Sequence, residues 1–268
     1  MAKDIAQMRK ELIKRAKKQV EKKYSEKDVH IIRAVSLLSD LDNAFNLLAE
    51  NCIEWYGSHF PELNSLVKNN EAYLKIVESL GEREKITVKK LEKLLGESEK
   101  SKQVEAKAKK GMGSKIPEKA LAEIRALAGN ALKLKQERKE LQEFIEEEMK
   151  KLAPNFSELA GPVLGARLLA SASGLKQLAM MPSSTVQLLG AEKALFRHLR
   201  NKKSKGPKYG FIYGHSLLRN VPGKHKGKMA RALASKMVLC ARSDYFGGKK
   251  GLGKKMLAEL EQRAKKLE

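Results

Sequence analysis

A chain of 268 residues is long enough for one cored domain or for two of ordinary size, and its 55 Lys plus Arg against 32 Asp plus Glu leave a formal charge of +23. A balance that positive attracts polyanions at long range, either nucleic acid or an anionic membrane surface. With 5% aromatic residues, two cysteines and no apolar run of the ~18 to 20 residues that cross a bilayer, the composition excludes a surface built mainly on base stacking, a disulfide framework, a four-ligand zinc site and a membrane span.

The opening Met1-Ala2-Lys3-Asp4 has no apolar signal region, so a soluble intracellular protein in a reducing compartment is expected. Charge is placed unevenly: residues 191–268 hold 21 Lys or Arg and 5 acids, net +16, whereas the preceding 190 residues are only +7. The polyanion site therefore belongs in the C-terminal third.

In chain order, residues 3–27 form a basic run whose apolar positions Ile5, Met8, Leu12, Ile13, Ala16 and Val20 mark one helical face. Residues 1–28 are expected to be a connector helix, solvated or in direct contact with RNA or membrane. From a possible N-cap at Ser25 a strict heptad follows, with Ile31, Leu38, Phe45 and Cys52 at a and Ala34, Leu41, Leu48 and Trp55 at d. A second long helix begins near Pro117 with the frame Ile124, Leu127, Ala131, Leu134, Arg138, Leu141, Ile145, Glu148 and Leu152. These segments suggest an antiparallel coiled coil over 29–153, capped by helices at 61–81 and 86–110. Two core helices of an ordinary bundle remain the alternative. The tip leucines Leu63, Leu66, Leu74, Leu91, Leu94 and Leu95, together with Val67, Tyr73, Ile76 and Val77, look surplus to the seam. So do Leu37, Leu47, Ile53 and Leu132 beside it, and all are therefore expected to drive self-association.

Pro154 ends the rod, and residues 154–247 read as a separate globular region followed by a basic tail or helix at 248–268. Residues 156–182, rich in Ala, Gly, Ser and Leu, should pack as close soluble helices. Short helices are expected at 191–200 and 228–246, and 209–213 (YGFIY) as one buried extended piece. No alternating strand pattern occurs, so the fold class is all-α.

Enzyme motifs do not hold up. The stretch GKKGLGKK resembles a phosphate-binding loop, but Lys255 stands where a Ser or Thr must hold magnesium. The five histidines show no metal-ligand spacing, and Cys52 and Cys240 sit on apolar helix faces, so no catalytic residue, metal or cofactor is expected. The basic positions say more. Lys193, Arg197 and Arg200 form one stripe of a helix whose start at Gly190 and Ala191 is sterically bare, while Leu195 and Leu199 face elsewhere. Lys224, Lys228, Arg231 and Arg242 cluster on a later helix opposite Met229, Leu233, Met237 and Cys240. Lys202, Lys203, Lys205 and Lys208 add to the same surface. His215, in a glycine-flanked loop, is either a structural hydrogen-bonder or a ring able to stack on a flipped base.

The run GPVLGARLLASASGLKQLAMMPSSTVQLLGAEKALFRHLR, with PKYGFIYGHSLLRNVPGKHKGKMARALASKMVLCARSDYFG after it, closely resembles the Nop domain. The preceding rod, with its WYGSHFPEL, resembles the coiled-coil domain of the archaeal Nop-family core proteins of box C/D guide ribonucleoproteins. The resemblance implies an RNA-binding scaffold, not an enzyme. It would bind the composite surface of a kink-turn RNA and a ribosomal-protein-like kink-turn binder, direct ribose 2′-O-methylation of RNA and dimerise through its coiled coil. Gly190, Ala191, Glu192 and Lys193 match the family's GAEK motif beside the RNA stem. Arg197 falls in its ALFR motif, and Lys208, His215, Lys226, Lys228 and Arg231 match other RNA-facing stretches. Arg200 and Lys224 join this site on charge alone. The family's N-terminal domain, which holds the fibrillarin methyltransferase, has no counterpart in this sequence, so a truncated form is expected and fibrillarin recruitment is in doubt. An archaeal source implies a cytoplasmic location and a eukaryotic one a nucleolar location. A spliceosomal-type Nop-domain RNA binder is the alternative, separable by the RNA stem length it accepts.

Overall fold

The computed structural model describes residues 8–9, 12–17 and 28–267, and among them secondary structure is helical throughout. Residues 8–9 and 12–17 are helical; the rest of the basic run, with Ser25, lies outside the described residues. From Asp28 the chain runs through α1 (Asp28–Gly57), α2 (Pro61–Leu66), α3 (Asn70–Ser79), a 3-10 turn at Arg83–Lys85, α4 (Val88–Leu95), α5 (Ser98–Lys110) and the long α6 (Glu118–Leu152). Nine further elements follow: α7 (Pro154–Ala160), α8 (Pro162–Ser171), α9 (Leu175–Met180), α10 (Ser183–Leu188), α11 (Glu192–Arg200), a 3-10 turn at Phe211–Gly214, α12 (Ser216–Asn220), α13 (Lys226–Tyr245) and α14 (Leu252–Lys265). Two compact units form, Leu37–Leu141 and Met1–Ser36 with Gln142–Glu268.

In the first unit the two long helices pair antiparallel. Asp42 meets Arg138, Phe45 lies under the Lys135 ammonium at 5.0 Å, and the Cys52 thiol points at the Ile124 carbonyl, so contacts descend one helix as they climb the other. Arg138, the charged residue in an apolar frame, donates from Nε to Asp42 at 2.5 Å.

The strict heptad fails at its end. Trp55, expected in the seam, is 47% exposed, and Ala49 and Tyr56 are fully buried instead. An α-helix turns about 100° per residue, which puts Tyr56 back in line with Leu38 and swings Trp55 about 100° away. The seam therefore moves from d to e as it enters the helical tip.

That tip has its own core, contrary to the expectation of surplus apolar surface. Leu63, Tyr73, Leu74, Ile76, Val77 and Leu91 are fully buried, and Leu66, Leu94 and Leu95 pack against them. Tyr56 runs through the centre: its hydroxyl donates to the Gly81 carbonyl at 2.6 Å and its ring meets Tyr73 edge-on. The loop before α6 is pinned to this core. Arg83 donates to the carbonyls of His59, Gly111 and Gly113, while the Met112 amide donates to Glu62. Gly113 is obligatory because a Cβ there would lie 1.7 Å from the His59 carbonyl oxygen.

The second unit is organised on α13, which buries Met229, Leu233, Met237 and Cys240. Helices α7, α9, α10 and α14 pack around it. Asp244 near its end accepts the backbone N–H groups of Asn155 and Phe156 and the Asn155 side-chain amide, which satisfies the first turn of α7. Asp28, at the start of α1, accepts the Leu175 N–H at 3.0 Å and so caps α9. The final helix is no loose tail, since Met256, Leu260 and Ala264 are buried and Gly253 closes onto Asn155.

Leu91→Ala should lower the stability of the first unit by ~2 to 5 kcal/mol in denaturant unfolding, because the tip cannot collapse onto the missing side chain. Leu47→Ala, at a position 61% exposed, should change it by less than ~0.5 kcal/mol.

Candidate nucleic-acid interface

Helix α11 carries the first basic stripe and buries none of its residues. Its two ends are fixed by the neighbouring chain. Before it, the Gly210 and Phe211 amides donate to the Gln187 and Leu189 carbonyls, at 2.9 and 2.7 Å, so residues 187–190 and 210–211 run side by side. Gly190 has φ +86°, and a Cβ on it would strike the Phe211 ring at 2.5 Å, so only glycine fits there. After the helix, the Asn201 and Ser204 amides turn the chain back and His198 bonds to the Ser204 carbonyl.

Lys193, Arg197 and Arg200 are all exposed on this helix, as their spacing requires. The start of the helix is not bare, however. Glu192 reaches back and accepts the Gly190 N–H at 2.7 Å, which places a carboxylate beside the amides that a phosphate would approach. The apolar side also differs from expectation: Phe196 is 58% and Leu199 62% exposed, with only Leu195 half-covered. Charge patterning marks the stripe and passes over these two, although an amphipathic nine-residue helix in a charged segment is signal enough.

The segment 209–213 is not a buried strand. It closes into a 3-10 turn that buries Ile212 and leaves Phe211 and Tyr213 exposed, and Gly210 enters it where a Cβ would lie 1.9 Å from the Leu189 carbonyl oxygen. Tyr213 stacks on Tyr209 at 4.9 Å, and the Lys226 ammonium lies 5.0 Å from its ring. Lys226 is thus held by a ring as well as being basic.

On α13, Lys228 and Arg231 are exposed opposite the buried methionines. Lys224 is exposed in the turn before the helix, not on it, and Lys208 is exposed in the loop whose carbonyl accepts from Gln187. Arg242 leaves the group: its Nε donates to the Ala179 carbonyl at 2.9 Å and ties α13 to α9.

His215 is the expected RNA-facing residue that the fold takes inside. It is 7% exposed, with Nε2 on the Leu159 carbonyl at 2.9 Å and Nδ1 accepting the Leu217 N–H at the start of α12. Both nitrogens are used only by a neutral ring that donates from Nε2, and no face is left for a base. Burial pushes its pKa below the usual 6.5. The two thiols are equally inert: burial raises Cys52 to about 11 and Cys240 to about 12. Among the described residues no three His, Cys, Asp or Glu side chains form a group able to hold a metal ion, and no helix is long and apolar enough to cross a membrane.

An all-α chain that presents cations on exposed helices, with one amphipathic helix left open, is in class a helical protein with a cationic surface. Residues 37–266 match the family described as Nop, snoRNA binding domain, fibrillarin, and the chain belongs to that family. It is 45% identical over 231 residues to an uncharacterised NOP5 family protein of Methanocaldococcus jannaschii, covering 86% of this chain and 55% of that protein. Nucleolar protein 58 of Homo sapiens is 41% identical over 243 residues, covering 90% of this chain and 46% of the human protein. The chain thus spans about half the length of these relatives. A chain in the crystal structure of a fibrillarin/Nop5p complex shares the fold, with a TM-score of 0.51 at 24% identity over 97% of this chain and 78% of that one.

Because the fold holds neutral His215, its contribution to stability is complete above about pH 6.5 and declines as pH falls towards the lowered folded value. His215→Asn keeps an N-cap acceptor but cannot titrate. Its melting temperature should drop less than that of the wild type between about pH 7 and pH 5.

Proposed function

We propose that this chain is an RNA-binding scaffold of a box C/D guide ribonucleoprotein, acting without catalysis of its own. Its partners are a box C/D guide RNA and a ribosomal-protein-like kink-turn binder, whose joint surface it recognises, so that the particle directs ribose 2′-O-methylation. The observation that supports this most is α11. A helix with Lys193, Arg197 and Arg200 on one side and exposed Phe196 and Leu199 on another suits a partner that is part phosphate backbone and part apolar protein surface. Fibrillarin, named in the family description, is the partner such a scaffold serves as its methyltransferase, through the N-terminal domain that the family resemblance implies. In an archaeon the particle works in the cytoplasm, and in a eukaryote in the nucleolus.

Binding to box C/D RNA alone should be weak and salt-sensitive, and gel shifts should tighten sharply when the kink-turn binder is added. Equal affinity and selectivity without that protein would refute composite recognition. Lys193→Ala with Arg197→Ala should weaken the assembled complex and flatten the slope of log K against log salt by about 0.9 for each duplex phosphate left without its cation.

Self-association by the long helices is the second element of the proposal. The tip leucines are consumed inside the chain; of the exposed apolar residues of α1, Leu47 lies on a different line of the helix, and the pair proposed as the surface is Leu37 and Trp55, 46% and 47% exposed. They stand about five turns apart on one line of α1. Leu37→Asp with Trp55→Asp should give a folded monomer by light scattering at tens of micromolar where the wild type is a dimer. A wild-type monomer at that concentration removes the dimer.

A further inference from the structure

Helices α13 and α14 lie side by side, joined by the buried Cys240–Met256 sulfur contact at 3.6 Å and by an ion pair between Lys236 and Glu259 at 2.6 Å. Between them runs an open groove of ≈ 500 Å³. Lys228, Arg231 and Lys236 line it from α13, Arg263 from α14, and the buried Leu260 lies at its base. Four cations thus face one acid, and that acid, Glu259, is already bonded to Lys236. Among the described residues no carboxylate lies within ion-pair distance of Lys228, Arg231 or Arg263.

Like charges gathered this closely repel one another, and a surface shaped only for solubility intersperses the two signs. Two arginines on facing walls offer planar forks that suit phosphate oxygens, and the ion pair fixes the wall that carries Lys236. The groove is open rather than closed over, which suits a strand passing through more than an enclosed ion.

We infer that the α13–α14 groove extends the RNA's phosphate-backbone site onto the last helix, where Arg263 works with Lys228 and Arg231. This rests on the RNA-binding reading of the chain and extends it to a helix that sequence patterning alone marks only as basic. Phosphate contacts of this kind set register and orientation, not sequence preference. The site therefore adds affinity and salt sensitivity and leaves base selectivity alone.

The test uses the full chain as wild type, Arg263→Gln and a control, Lys102→Gln, in which an exposed lysine of α5 loses the same charge. Each is titrated from 50 to 200 mM salt on two probes: box C/D RNA with the kink-turn binder, and a straight RNA duplex of arbitrary sequence. Arg263→Gln should flatten the salt slope by about 0.9, so that its affinity falls about 3.5-fold less than the wild type's over that range, with circular dichroism unchanged. Lys102→Gln should follow the wild type. Slopes for Arg263→Gln that match Lys102→Gln on both probes overturn the groove, and so does a wild type that binds neither. A wild type that binds the composite no better than the straight duplex instead refutes composite recognition, and the groove is then decided by the straight-duplex series.

Discussion

Burial of one side of α13 is the constraint on which the basic surface depends. Met229, Leu233, Met237 and Cys240 have no exposure at all, and four neighbouring helices pack against that side. Rotating the helix would expose those side chains and drag Lys228 or Arg231 under the core, where an unpaired ion costs several kcal/mol. The orientation of the cations is therefore set by apolar packing, not by any attraction among the cations themselves. The same packing brings α14 alongside and supplies Arg263.

Helix α11 reaches exposure by the opposite route. No core face holds it, so its placement rests on its ends: the side-by-side backbone at 187–190 and 210–211, the Phe211 ring over Gly190, and the turn through Asn201 and Ser204. A helix of nine residues is marginal alone in water, and end restraints substitute for the packing it lacks. The arrangement leaves both its cationic and its apolar sides open to a partner. Two basic surfaces held in different ways follow, one packed on a core and one held at its ends.

The tip of the first unit shows why counting apolar residues misjudges an interface. Five short elements lie between the long helices, and each must bury a face. Tyr56, Tyr73 and the leucines around them satisfy one another, and Gly113 brings backbone against backbone to close the loop. Of the large apolar side chains of α1, Leu37, Leu47 and Trp55 stay exposed.

The sequence by itself determined the all-α class, the two long helices with a helical cap, the cationic C-terminal third and the outward stripe of Lys193, Arg197 and Arg200, since each follows from short-range periodicity and charge counting. The family was legible by resemblance, in contiguous motifs such as GAEKALF and KGKMAR. Only the tertiary structure decided that Trp55 leaves the seam, that the tip leucines are spent within the chain, that His215 turns inward to bond Leu159, and that Glu192 occupies the start of α11. It also decided that Arg263 lines one groove with Lys228 and Arg231. These outcomes depend on groups brought together from distant parts of the chain or on the slow drift of a 3.6-residue turn against a seven-residue count, and neither is visible in a local window.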